Sequence, residues 1–136
     1  MAHESLIVLD THALLWWVSG SNRLSARARR TIRAATAKAP AAVSTISVLE
    51  IATAVRRGRL ELAAPVESWL ADLCLLPELR FESVSIEIAR RAGMFDDSMP
   101  RDPADRIIAA TAMALHARLI TADEGLRRVA ELRAVW

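Results

Sequence analysis

The sequence is poor in several features whose scarcity excludes whole classes of protein. Its 136 residues include one cysteine, Cys74, so no internal disulfide can form and a reducing cytoplasm is the expected location. The apolar neighbours of Cys74 predict a buried thiol. No apolar run reaches the roughly 20 residues that span a bilayer, and Met1 to Glu4 carry no basic patch typical of a secretory signal. We therefore expect a protein with no membrane partner.

Lysine is almost absent as well. Lys38 is the only lysine among 18 basic residues, and the formal net charge is +2. The arginines are clustered, in residues 23–33 and again in residues 56–59. Such clusters attract phosphate, but they are also common on solvated helix faces, and the sequence leaves both interpretations open.

The composition is that of a folded protein, with 53% hydrophobic and 25% charged residues. We expect a single domain, residues 1–136, because no linker or repeat divides the chain. Apolar runs alternate with helical patterns, which favours an α/β fold with a mostly parallel sheet of four to five strands between helices. The predicted strands are 6–9, 42–45, 81–84, 118–121 and 133–135; the predicted helices are 11–18, 25–37, 47–57, 66–76, 86–94 and 102–117.

Four acids follow predicted strands or lie in first turns of predicted helices: Asp10, Glu50, Asp105 and Asp123. In a parallel sheet these places meet at the carboxyl edge of the strands, where ligands bind. Each acid also has a structural explanation, because acids stabilise helix N-termini. The alternatives are an N-cap for Asp10, a Ser47–Glu50 capping box, an N-cap for Asp102 before Pro103, and an ion pair between Asp123 and Arg127.

Carboxylates brought together at one edge would raise one another's pKa unless a cation lay among them. Ligands that are all oxygen favour Mg²⁺ or Mn²⁺. Zinc is improbable on this sequence, because there is no cysteine pair and His3, His12 and His116 lack metal-ligand spacing. We predict that His12 is a helix-surface or packing residue rather than a general base.

Four segments together resemble the motifs of PIN-domain proteins of the VapC toxin type. These are Val8 to Trp17 with the sequence VLDTHALLWW, Ser44 to Leu62, Asp102 to Ala112 with DPADRIIAATA, and Leu119 to Asp123 with LITAD. They occur in the family's order and cover nearly the whole chain. Two positions depart from the pattern: Leu49 stands where Trp is frequent, and Arg101 where His is frequent.

This resemblance implies a PIN-like three-layer sandwich and a Mg²⁺-dependent ribonuclease, with Mn²⁺ as a substitute ion. It implies that Asp10, Glu50 and Asp105 hold the metal and that Asp123 is the more variable fourth acid. By similarity, Thr11, Asp102 and Thr121 are outer-shell candidates. The implied partners are an RNA substrate and a cognate antitoxin of a type II toxin–antitoxin pair, in a homodimer or a heteromer with the antitoxin.

Candidates for contact with RNA are Arg106, beside the acids, and Arg23, Arg27 and Arg30. Trp16 and Trp17 point about 100° apart on a helix, so we expect one to pack inside and the other to cover a groove. Trp69, among leucines, is predicted to lie in the core.

Two other functions compete with this interpretation. A receiver-type signalling domain would need an acidic pair after the first strand, where Leu9 precedes Asp10, and a late lysine, whereas Lys38 lies in the first half. The stronger alternative is a PIN-like module that binds a protein partner or RNA without cleaving it, and the presence of all four acids argues against it.

Overall fold

The computed structural model describes residues 6–136, which contain five strands and seven helices. The strands are β1 (Ile7–Leu9), β2 (Ala41–Ser44), β3 (Leu79–Glu82), β4 (Arg118–Ile120) and β5 (Ala134–Val135). The helices are α1 (Thr11–Val18), α2 (Ala26–Thr36), α3 (Ile46–Arg56), α4 (Val66–Cys74), α5 (Ile86–Met94), α6 (Pro103–Ala114) and α7 (Glu124–Arg127).

The strands form one sheet in the order β3-β2-β1-β4-β5, and every pairing is parallel. Strands β2 and β3 are added on one side of β1, and the chain then crosses over so that β4 and β5 are added on the other side. The order therefore reverses between β1 and β4, and a crevice at the carboxyl ends of strands is expected at this switch point.

Helices cover both faces of the sheet, which confirms the predicted three-layer α/β architecture. The side chains of β1 show how the layers are filled, because they alternate between faces. Ile7 and Leu9 pack in a core with α1 and α2, whereas Val8 packs in a second core with α6 and α7. All three are almost fully buried, as expected of a central parallel strand.

Several local predictions need correction. Strand β3 begins two residues earlier than expected. Helix α6 ends at Ala114, ahead of His116, whose φ of 53° is incompatible with continued helix. Helix α7 was not predicted. The thiol of Cys74 is exposed, because this last residue of α4 lies on the side of the helix away from buried Leu73.

None of the helices in the described residues has the length and apolar character to cross a membrane. The interpretation of Met1 to Glu4, including His3, lies outside the described residues.

Candidate active site

A pocket of about 1080 Å³ lies beside the switch point of the sheet. Its lining includes every acid singled out in the sequence: Asp10, Glu50, Asp102, Asp105 and Asp123. These residues come from the ends of β1 and β4, from the second turn of α3 and from the N-cap and first turn of α6. The topology thus brings acids that are far apart in the chain to one cavity.

Asp10 is the most enclosed of these acids, with 7% of its surface exposed. Its Oδ1 accepts a hydrogen bond from the Ala13 amide at 2.8 Å and caps α1, while its Oδ2 accepts one from the Thr121 hydroxyl. Burial raises the pKa of Asp10, although both hydrogen bonds and the nearby His12 oppose the shift. The predicted N-cap is confirmed, and it leaves this carboxylate at the wall of the pocket.

Glu50 is held by a chain of two hydroxyls. The Thr11 hydroxyl donates to Glu50 Oε1 at 2.5 Å, and Thr11 Oγ1 lies 2.8 Å from Ser47 Oγ. A hydroxyl has one hydrogen, and Thr11 gives its hydrogen to the carboxylate, so Ser47 is the donor in the second bond. The alternative of a Ser47–Glu50 capping box is wrong, because α3 begins at Ile46 and its N-cap, Thr45, makes no side-chain cap bond.

The start of α6 places two acids side by side. Asp102 is the N-cap and accepts from the amides of Ala104 at 2.8 Å and Asp105 at 3.4 Å, with Pro103 at the first helical position, as predicted. Asp105 points to the pocket three residues later. Burial, and then the charges of Asp102, Asp123, Glu50 and Asp10, raise the pKa of Asp105 to about 7.

Asp123 follows β4 and caps α7, the helix missed from the sequence. Its Oδ1 accepts from the Leu126 amide at 2.9 Å, and its own amide donates to Thr121 Oγ1 at 3.0 Å. The alternative ion pair with Arg127 is absent from the described residues. Thr121 therefore links Asp123 to Asp10 across β1 and β4.

The chemistry of the pocket suits a hard divalent cation, since carboxylate and hydroxyl oxygens dominate its polar lining. In residues 6–136, however, no three acidic, histidine or cysteine side chains form a ready-made ligand set. The acids line a shared cavity, and their side chains would have to come closer together to share an ion. Burial and then the negative charges of the neighbouring acids raise the pKa of Asp105, and such an ion would relieve the repulsion among these charges.

The candidate RNA-binding arginines are placed differently. Arg23 lines the pocket and is exposed, whereas Arg27 and Arg30 are exposed on α2 outside it. The Arg106 guanidinium donates to three backbone carbonyls, those of Ala92 at 3.0 Å, Pro100 at 3.3 Å and Phe95. Arg106 therefore joins α5 and the following loop to α6, so we do not keep it among the candidates for contact with RNA.

The tryptophans differ in whether they reach the pocket. Trp16 and Trp17 are both half-buried against the core, but only Trp16 lines the pocket. The ring of Trp16 lies 5.4 Å from that of His12 and 5.6 Å from that of Trp136. Trp69 packs against the core, as predicted, and also reaches the pocket. Sequence reasoning missed Ser47 and Trp136, because neither carries a local pattern that reveals its distant partner.

Comparisons with known proteins agree with this architecture. The family model described as PIN domain matches residues 7–132. Ribonuclease VapC22 of Mycobacterium tuberculosis is 38% identical over 121 residues, which is 89% of each chain. The crystal structure of VapBC2 from Rickettsia felis bound to a DNA fragment from their promoter has a TM-score of 0.69 at 17% identity, over 96% of this chain and 97% of that one.

A toxin–antitoxin complex from Klebsiella pneumoniae has a TM-score of 0.64 at 22% identity and covers 96% of both chains. At these identities the two structures are evidence for the fold. The family model covers almost all of the described residues, and the relative matches at well over 30% identity across most of both chains. The chain belongs to the PIN-domain family.

Proposed function

We propose that this protein is a metal-dependent endoribonuclease that hydrolyses RNA phosphodiester bonds and is the toxin of a type II toxin–antitoxin pair. The observation that carries the proposal is the convergence of acids from four segments in one pocket, where burial and then the charges of the neighbouring acids raise the pKa of Asp105 to about 7. A structural acid gains nothing from such neighbours, whereas a cation site requires them. The identity to a protein named Ribonuclease VapC22 supports the same activity.

In this proposal Asp10, Glu50 and Asp105 hold the principal ion, which is Mg²⁺ with Mn²⁺ as a substitute. Asp123 holds a second ion or an ordered water, and Asp102 belongs to the outer shell. Such an ion lowers the pKa of a bound water and neutralises charge on the phosphate. The protein's own contribution is orientation: Thr121 fixes one oxygen of Asp10, and Thr11 fixes one oxygen of Glu50.

The partner part of the proposal rests on the apolar section of the same pocket. Beyond the acids, the pocket is lined by Leu15, Leu60, Leu62 and Trp69. A segment of a cognate antitoxin that covers this section would also block the acids. The structural neighbours include toxin–antitoxin complexes, which is consistent with such a partner. A homodimer and a cytoplasmic location stay predictions.

The direct test compares Asp10→Asn and Asp105→Asn with the wild-type protein in a cleavage assay on structured RNA in Mg²⁺. We expect each variant to lose RNA cleavage by about a thousandfold or more while remaining folded, because the loss of a primary metal ligand costs several kcal/mol in the transition state. Asp72→Asn is the matched control, since Asp72 is exposed on α4 and outside the pocket.

Full activity in both variants, or in excess EDTA, would contradict the mechanism. A wild-type protein that binds RNA or an antitoxin but never cleaves RNA with Mg²⁺ or Mn²⁺ would establish the alternative, a PIN-like binding module.

A further inference from the structure

The charges of the chain are segregated along the sequence. The segment 21–39 holds Lys38 and five arginines and has no acidic residue. The whole chain has 18 basic and 16 acidic residues, so the remainder keeps 12 basic residues against the 16 acids. A protein of small net charge thus has one strongly basic segment within an otherwise acidic molecule.

Helix α2 turns this segment into a one-sided surface. Ala28, Ile32 and Ala35 are buried against the sheet, whereas Arg27, Arg30 and Arg33 are exposed. Within residues 6–136 the ion pairs join arginines of β3, α5 and the α7 end to glutamates, and none includes an arginine of α2. The exposed guanidinium groups of α2 therefore form no ion pair with an acid in that range.

Arg23 connects this surface to the carboxylate pocket. It lines the pocket together with Asp10 and Asp105, and its guanidinium lies over the Trp16 ring, 5.8 Å from the centroid. The same ring is contacted by His12 and by Trp136. Because Arg23, His12 and Trp136 already contact the ring, Trp16 is better suited to hold the guanidinium of Arg23 than to stack on a nucleobase.

We propose that Arg23 and the exposed arginines of α2 form one phosphate-binding surface that leads an RNA backbone to the carboxylate pocket. The proposal rests on the ribonuclease function proposed above and assigns where its substrate lies outside the cleavage site. Arginines that contact phosphates supply affinity that does not depend on sequence and decreases with salt. Trp16 is a positioning residue in this proposal, because it acts through Arg23.

The first test measures binding of labelled unfractionated tRNA between 50 and 200 mM KCl, with Asp105→Asn as the uncleaving parent. Arg27→Glu with Arg30→Glu is compared with a control pair, Arg90→Glu with Arg127→Glu. Both pairs change the net charge equally, and Arg90 and Arg127 are exposed outside the pocket. We expect the α2 pair to bind about tenfold or more weakly and to reduce the slope of log Kd against log salt by about two. The control pair should cause a much smaller change.

Equal losses in the two pairs would overturn the proposal, because net charge alone would then explain them. Unchanged tRNA binding by the α2 variant would also overturn the proposal. This holds even if the same variant no longer binds an acidic protein, because α2 would then be a protein-binding surface. Cleavage by the wild-type protein is measured separately. A protein that never cleaves RNA refutes the proposed function, and the salt slope still decides whether α2 binds RNA.

The second test concerns Trp16. Arg23→Gln and Trp16→Leu should weaken tRNA binding by the same factor, and the double variant should lose no more than either single variant. Trp16→Phe keeps an aromatic face and should restore most of the binding, and Trp17→Leu is the control for lost packing. Additive losses, or no rescue by phenylalanine, would show that Trp16 acts on folding rather than on Arg23.

Discussion

At the scale of single residues, the hydroxyl chain Ser47–Thr11–Glu50 gives a sharp prediction. We expect Thr11→Val to raise the Mg²⁺ concentration for half-maximal cleavage by about tenfold or more, since a hydrogen bond to a charged group contributes about 1.5–3 kcal/mol. Ser47→Ala should raise it by about fivefold, because Ser47 is fully buried and acts only through Thr11.

The matched control is Ser44→Ala. Ser44 is also fully buried, but its hydroxyl accepts from the Ile46 amide and does not contact Glu50. Both serine variants should lose a similar stability, about 1 kcal/mol, in thermal unfolding. The same Mg²⁺ dependence in the two variants would show that Ser47 has only a structural role.

The residues of the pocket could be predicted only in part from the sequence. Asp10, Asp105 and Asp123 were identifiable because each follows a strand or lies in the first turn of a helix, and the parallel topology brings such positions together. Glu50 was identifiable because it lies in the first turn of the predicted helix, although the structure places it in the second turn of α3. For Ser47, the local pattern indicates only the alternative of a capping box with Glu50. Its true partner, Thr11, is 36 residues away, and no local pattern reveals a hydrogen bond over that separation.

At the scale of secondary-structure elements, helix α7 is the least predictable part of the fold and positions Asp123. Gly125 lies inside it, and a Cβ at this position would lie 3.1 Å from Asp123 Oδ1 and 3.2 Å from Pro100 Cγ. Gly125→Ala should therefore displace the Asp123 carboxylate. The cost of this displacement should cancel the stability that alanine usually gives a helix in place of glycine. We expect weaker Mg²⁺ activation of cleavage and no increase in thermal stability.

Gly93→Ala on α5 is the matched control, since nothing lies within 4 Å of the added Cβ. It should stabilise the protein by about 0.5–1 kcal/mol and leave Mg²⁺ activation unchanged. If both alanine variants were equally stabilised and Mg²⁺ activation were unchanged, α7 would accommodate the added Cβ without displacing Asp123, and the prediction would be wrong.

The elements that the sequence predicted well are those with long apolar stripes and clear caps. Asp102 with Pro103 marked the start of α6 to the residue. The missed α7 has only four residues, too short to show a helical period. The exposure of Cys74 depends on how the end of α4 packs, which the apolar composition around it could not reveal.

At the scale of the whole molecule, the parallel sheet places the pocket acids where the chain reverses its order between β1 and β4. The repulsion among Asp10, Glu50, Asp105 and Asp123 belongs to the folded state, since these acids are far apart in the unfolded chain. Stability and cation binding must therefore be linked.

This linkage predicts how global stability depends on pH without added metal. The folded state raises the pKa of Asp105 from 3.8 to about 7, so between these values the folded protein binds more protons than the unfolded chain. The free energy of unfolding then decreases as pH rises from about 4 to 7, and Asp105→Asn removes the contribution of Asp105 to this decrease, whereas the contribution of Asp10 stays. Because Asp105 is only partly buried, solvent screening limits the difference at pH 7.5 to about 1–2 kcal/mol.

Chemical denaturation at pH 4.5 and pH 7.5, with EDTA or with Mg²⁺, measures both sides of this linkage. Asp105→Asn should be the more stable protein in EDTA at pH 7.5 and nearly equal to the wild type at pH 4.5. Saturating Mg²⁺ at pH 7.5 should stabilise the wild type by about 2–3 kcal/mol, the gain expected at about 100 times the Kd, and stabilise the variant much less. If Mg²⁺ raised the free energy of unfolding of both proteins equally, a bound cation would not act by relieving the repulsion at Asp105.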